Sequence, residues 1–131
     1  MSTAPRKRTI VTSKAPKPSS PISQGVRVDS LVFTSGQLGK DPKTGKIVGE
    51  SMAEQARQAL ENLKAVLKGG GASLDDVVKV TIFVTDLKKM DALNKVYREF
   101  FPSCIPARSC IEVSNLASGA KVEIEAIAAA P

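Results

Sequence analysis

The sequence has no histidine and no tryptophan, and among its 131 residues there are one tyrosine, four phenylalanines and two cysteines. Without histidine, the commonest general base and the usual partner of a catalytic serine or cysteine are missing. Proton transfer would have to use a carboxylate, a thiol, a lysine, the tyrosine or water. Cys104 and Cys110 stand six residues apart with no histidine to complete a zinc-ligand set, so no metal or cofactor is expected. No apolar run approaches the ~20 residues that cross a bilayer, and the N-terminus lacks the apolar stretch of a secretory signal. A membrane is therefore not an expected partner, and a reducing compartment is the expected setting.

A formal charge of +6 suggests nucleic acid until its placement is considered. Arg6, Lys7, Arg8, Lys14, Lys17 and Arg27 all fall within residues 1–28, where there is no acid. From Asp29 onward thirteen basic residues balance thirteen acidic ones. The body of the domain is thus neutral and poor in stacking aromatics, so nucleic acid is not expected as a partner. Residues 1–7 are expected to form a flexible basic tail, as a solvated arm or a weak phosphate contact, and residues 8–131 a single domain.

Within that domain, Thr9–Ser13 is predicted as a first strand, followed by a proline-rich loop and a hairpin turning at Asp29–Ser30. Ser51 and Glu54 form a capping-box pattern ahead of a helix over 51–68, on which Ala56, Leu60, Leu63 and Leu67 share one face. Gly69–Gly71 end it; a phosphate cradle is the other reading of three glycines, but these follow a helix and lack the P-loop's Lys-Ser/Thr. A β-branched strand over 77–86 leads to Asp86 as the cap of a second helix reaching Phe100, with Leu93, Val96, Tyr97 and Phe100 as its apolar stripe. Two strands follow, near 106–115 and 120–129. This order predicts an α+β domain, a mixed sheet with both helices on one face.

Alternation then assigns faces. If apolar positions face the helices, Ile111 and Val113 lie inward and Arg108, Cys110 and Glu112 point to the helix-free side, where Glu123 and Glu125 of the last strand also point. Two readings of Arg108, Glu123 and Glu125 stay open on this basis, a structural salt-bridge set or a functional site. The helix-free face also carries Phe83 and Ile127, which implies burial against another copy of the chain.

Five blocks, FTSGQL (33–38), FVTDL (83–87), N-x-x-Y (94–97), PARSCIEV (106–113) and VEIEAIA (122–128), resemble the signature blocks of the RidA family, also known as YjgF-type proteins, over about residues 8–129. The resemblance implies a chorismate-mutase-like α+β fold and a homotrimer with a site in each cleft between subunits. It implies a deaminase hydrolysing reactive 2-imino and 2-enamino acids, such as 2-iminobutanoate and 2-iminopropanoate, to 2-oxoacids and ammonia, without a cofactor. It further implies that Arg108 holds the substrate carboxylate, that Glu123 orients or activates water, and that the backbone at Cys110 contacts the imine nitrogen. Ser35, Gly36 and Asn94 would line the same pocket. The Cys110 thiol is either a nucleophile or a small packing group.

The chain departs from the family pattern at SPISQG, where Ser20 and Ile22 replace a glycine and an aromatic. Ile22 would leave the pocket wider and less polar, which suggests branched or bulkier imino acids. Few residues precede the first strand of the pattern, so a cytoplasmic location is expected in preference to a mitochondrial one. The competing functions are an RNA-acting translation inhibitor or endoribonuclease, and a noncatalytic ligand-binding or holdase-like trimer.

Overall fold

Helix α1 (Met52–Gly69) begins where the Ser51 hydroxyl accepts from the Glu54 N–H and the Glu54 carboxylate accepts in return from the Ser51 N–H, so two otherwise orphaned donors are satisfied. The computed structural model describes Ala4 and residues 6–131. The helix stops at Gly70, and Gly71 adopts φ +83°, which the absence of a side chain permits. Asp86 accepts from Lys88 N–H to start a short 3₁₀ turn, Leu87–Lys89, which feeds helix α2 (Met90–Phe100).

Seven strands form one mixed sheet among the described residues: β1 (Lys7–Ile10), β2 (Gly25–Val28), β3 (Leu31–Thr34), β4 (Gln37–Leu38), β5 (Val77–Val84), β6 (Ala107–Glu112) and β7 (Val122–Ala129). The order across it is β1-β2-β3-β7-β5-β6, and β4 pairs with β7 beyond the end of β3. Only β5 and β6 run parallel, as their connection through α2 requires. Asp29, at φ +52°, makes the β2–β3 turn.

The core lies between one sheet face and the two helices. Val32, Val80, Ile82, Val84, Val122, Ile124 and Ala128 meet Ala56, Ala59, Leu60, Leu63 and Leu67 of α1 and Leu93 of α2, all of them fully buried. The opposite face carries no helix and leaves Phe33 39% and Ile111 46% exposed, beside half-buried Phe83 and Ile127. Among the described residues no helix is long and apolar enough to cross a membrane.

Two sequence expectations need correction. The first strand starts at Lys7, not Thr9: Lys7 pairs with Val28, and the Arg6 N–H donates to the Asp29 carboxylate just before it. Of the expected tail, Met1–Thr3 and Pro5 lie outside the described residues. Arg27 is likewise structural, donating to the carbonyls of Asp29, Gly70 and Pro131 and so tying α1 and the C-terminus to β2.

The second correction concerns β6. In its parallel register Arg108 stands beside Val80, Cys110 beside Ile82 and Glu112 beside Val84. Those three partners are buried under the helices, so Arg108, Cys110 and Glu112 point to the helix side and Ile111 to the open side. Polar-out alternation failed because the open face is itself apolar and because β6 is an edge strand that passes beyond the cover of α1.

Candidate functional site

Arg108 leaves the edge strand toward α2, where its guanidinium lies over the Tyr97 ring, 4.8 Å from the centroid. It makes no hydrogen bond or ion pair within the described chain, so all five N–H donors on its edge remain free. Tyr97 is buried and rests on Phe101, with ring centroids 4.7 Å apart. Asn94, one turn earlier on α2, shares that face. The Asn94 Oδ1 and the Tyr97 hydroxyl are both buried without a hydrogen-bond partner.

Cys110 sits two residues beyond Arg108, with its Sγ 3.4 Å from the Met90 Sδ. Burial pushes its thiol up, against the opposing influence of Arg108 and of the Ile111 backbone, which keeps the sulfur protonated at neutral pH. The Glu112 carboxylate accepts from the Leu87 N–H at 3.0 Å and is spent on closing the 3₁₀ turn.

A second group of residues gathers on the open side. The Thr34 hydroxyl accepts from the Ala126 N–H at 3.0 Å, taking over a bond of the sheet ladder. The chain then leaves β7 for two residues before Gln37 pairs with Ile124 and Leu38 with Glu123. This detour sets Gly36 directly against the Glu123 side chain: a Cβ there would come within 2.5 Å of the carboxyl carbon. Only glycine lets the carboxylate lie so close to the backbone.

Ser35 donates its hydroxyl proton to the Ser23 carbonyl at 2.6 Å, and its N–H to the Gln24 carbonyl. The buried Gln24 side chain in turn accepts from Thr12 N–H and donates to the carbonyls of Thr12, Ala15 and Pro16. One glutamine thus pins the proline-rich loop that carries Ile22. Ile22, Ser35, Gly36 and Glu123 line a recess of about 150 Å³, to which the loop adds Pro16, Lys17 and Ser20. Lys40 borders it as well, and neither it nor Lys17 was expected at a site from the sequence.

Glu123 is half-buried and has no hydrogen-bond or ionic partner within the described chain. Burial, and then the neighbouring Glu125, raise its carboxyl from the ordinary glutamate value. That is how a carboxylate becomes a more effective base near neutral pH.

The expected site residues therefore form two groups. Arg108, Cys110 and Asn94 lie on the helix side of the sheet near its β6 edge, while Glu123, Ser35, Gly36 and Ile22 lie on the open side near β4. Arg108 is level with Ala126 through Val80 and is separated from β7 by β5, so its Cα is roughly 14 Å from that of Glu123, with the side chains on opposite faces. A salt bridge joining Arg108 to Glu123 and Glu125 within one chain is excluded. Wider grooves of about 730 and 680 Å³ along α1 contain none of the expected residues.

Sequence reasoning placed Tyr97 in the apolar stripe of α2 and missed its contact with Arg108. Its spacing of three from Asn94 was the available signal, since it puts two polar groups on one helical face.

Comparison with known proteins gives a consistent picture. The family model described as Endoribonuclease L-PSP matches residues 12–130. A 2-iminobutanoate/2-iminopropanoate deaminase of Salmonella typhimurium is 48% identical over 124 residues, covering 92% of this chain and 96% of that protein. A RutC family protein of Pyrococcus abyssi is 47% identical over 122 residues, covering 93% and 96%. The crystal structure of E. coli TdcF with bound serine superimposes with a TM-score of 0.91 at 42% identity, covering 95% of this chain and 99% of that one.

Proposed function

The chain belongs to the Endoribonuclease L-PSP family, the family of YjgF and RidA, and from that premise we propose that it hydrolyses reactive 2-imino and 2-enamino acids to 2-oxoacids and ammonia. The Salmonella relative named for 2-iminobutanoate and 2-iminopropanoate supports this substrate class. The observation that carries the reading is the pairing of chemistries: a guanidinium with every donor free, and a desolvated carboxylate with no partner.

A carboxylate meets a guanidinium edge in bidentate fashion, which fixes the adjacent C2 carbon in space. Water adds to C2 of the protonated imine while Glu123 takes its proton. The carbinolamine then expels ammonia, to which Glu123 returns that proton, leaving the 2-oxoacid and a regenerated carboxylate. Imines hydrolyse readily in water, so positioning and one base supply the acceleration. Asn94 Oδ1, buried without a partner within the described chain, would accept from the imine N–H once its side chain turns outward, and the Cys110 backbone of the edge strand would contact the same nitrogen. The serine bound to E. coli TdcF carries the same α-carboxylate as the proposed substrates.

Because Arg108 and Glu123 cannot meet within one chain, the site is completed by a second copy, whose recess side faces the first copy's Arg108. The uncovered apolar face, with Phe33 and Ile111, is the surface such an assembly would bury, and closure into a homotrimer satisfies every copy equally. Ile22 at the recess wall favours branched or bulkier side chains over the smallest ones. A cytoplasmic setting suits this chemistry, since amino-acid breakdown there generates such imines.

The test is release of 2-oxobutanoate from imine made in situ by threonine dehydratase or an amino-acid oxidase. Wild type should accelerate it and Arg108→Ala should not. Tight 2-oxoacid binding without turnover would replace the enzyme by a binding protein. RNA cleavage, which the family description names, is the second reading; cleavage that is lost on deleting residues 1–6 but survives Arg108→Ala would assign it to nonspecific attraction by the basic end.

A further inference from the structure

Tyr97 is the sole tyrosine of the chain and is 5% exposed, yet its hydroxyl bonds to nothing among the described residues. Burying an unpaired hydroxyl is unfavourable, and phenylalanine would fill the same space without that cost. The hydroxyl therefore does not anchor the ring. Packing does, with Phe101, itself 3% exposed, tilted at 32° against it.

The consequence falls on Arg108. A guanidinium on an exposed edge strand has several rotatable bonds and no hydrogen bond to hold it, so it would sample many orientations. Its one partner among the described residues is the Tyr97 ring, over which the guanidinium carbon lies 4.8 Å from the centroid while the N–H groups stay unbonded. A stacked cation keeps its N–H fork open for a ligand, whereas an ion pair would consume it.

We propose that Tyr97 is the positioning residue of the carboxylate clamp: with Phe101 behind it, the ring forms a shelf that holds the Arg108 guanidinium in the plane required for a bidentate grip on the α-carboxylate of the substrate. The proposal rests on the reading of Arg108 as that clamp. It concerns ground-state recognition, so it acts on KM and on discrimination between a carboxylate and a neutral group, with kcat nearly unchanged. The π face of Tyr97 carries the effect.

The decisive comparison is between Tyr97→Phe and pentafluorophenylalanine at the same position, which keeps nearly the same shape but reverses the charge distribution of the ring face. KM and kcat are measured for 2-iminobutanoate and for its carboxamide, together with calorimetric affinity for 2-oxobutanoate. Tyr97→Phe should stay within about threefold of wild type, whereas fluorination should weaken both KM and 2-oxobutanoate affinity by about tenfold, within the range of a partly desolvated cation–π contact. The carboxamide should respond to neither. Equal values for the two variants, or equal losses on the carboxylate and the carboxamide, would overturn the role of Tyr97. If wild type neither turns over 2-iminobutanoate nor binds 2-oxobutanoate, the clamp falls with the function. If wild type does both and fluorination has no effect, the shelf alone falls. Thermal unfolding of each variant identifies misfolding, and Tyr97→Leu, which removes the face and part of the bulk, gives a second comparison with at least the same expected tenfold loss.

Discussion

Arg108 and Glu123 lie in strands of the same sheet, separated by β5, and point to opposite faces of it. One presents a cation with free donors on the side of α2, the other a desolvated base in a recess on the open side. Within one chain the two groups do not meet. In the proposed symmetric assembly, a single interface would bring the helix side of one copy to the recess of the next.

The contact of Gly36 with Glu123 gives a direct test of the base. Gly36→Ala would place a methyl group where the carboxyl group now lies, and the backbone of the detour between β3 and β4 leaves little room to retreat. The expected outcome is a loss of about 10²-fold in kcat, the size associated with a displaced general base, with melting temperature nearly unchanged. Steady-state kinetics beside a thermal scan checks both halves.

Acidity offers a second test. As the proposed base, Glu123 must be ionised to accept a proton, so activity should fall in acid with a midpoint above the ordinary glutamate value. Burial is the larger cause and Glu125 the smaller, both raising it. Glu125→Gln should therefore move the acid limb of kcat/KM toward lower pH without restoring the ordinary value. A pH–rate profile in which the limb stayed in place or moved upward would reject this electrostatic account.

Stability follows from the same shift. A carboxyl whose folded pKa is raised contributes stability below its unfolded pKa and loses it as pH rises through the folded value. At neutral pH Glu123 is thus a burden on the fold. Glu123→Gln should abolish turnover while leaving the melting temperature equal or higher at pH 7, and that advantage should shrink in acid.

A lone tyrosine makes the shelf visible to spectroscopy. Burial pushes the Tyr97 phenol up and Arg108 opposes this, so phenolate absorbance should titrate as a single group with a midpoint above about 10. Arg108→Ala removes the lowering influence and should raise the midpoint further. Stability should decline over the same window, because the contribution of the neutral phenol is lost as pH rises through its folded value.

Much of the fold was legible in the sequence because local signals agreed with it. Ser51 and Glu54 marked the start of α1, Asp29–Ser30 the hairpin, and the β-branched run of β5 the central strand. Arg108 was misplaced because the apolar positions of β6 were assigned to the helix side, whereas Ile111 faces the open, equally apolar side. Which face an edge-strand residue takes is set by its parallel register with β5, a long-range pairing that alternation does not encode. The candidate site residues were singled out by their family blocks. Their division into two groups on opposite faces, and the aromatic ring beneath Arg108, emerge only when β6, α2 and the Gly36 detour are placed in space.

Complementation between two inactive variants tests the shared site most directly. Arg108→Ala and Glu123→Gln protein, each devoid of activity, would be mixed in equal amounts, unfolded, refolded together and assayed for 2-iminobutanoate hydrolysis. If each site takes its arginine from one copy and its glutamate from the next, random assembly leaves both intact in about one site in four, and roughly a quarter of wild-type activity should return. A mixture as inactive as its two components would contradict a site shared between copies.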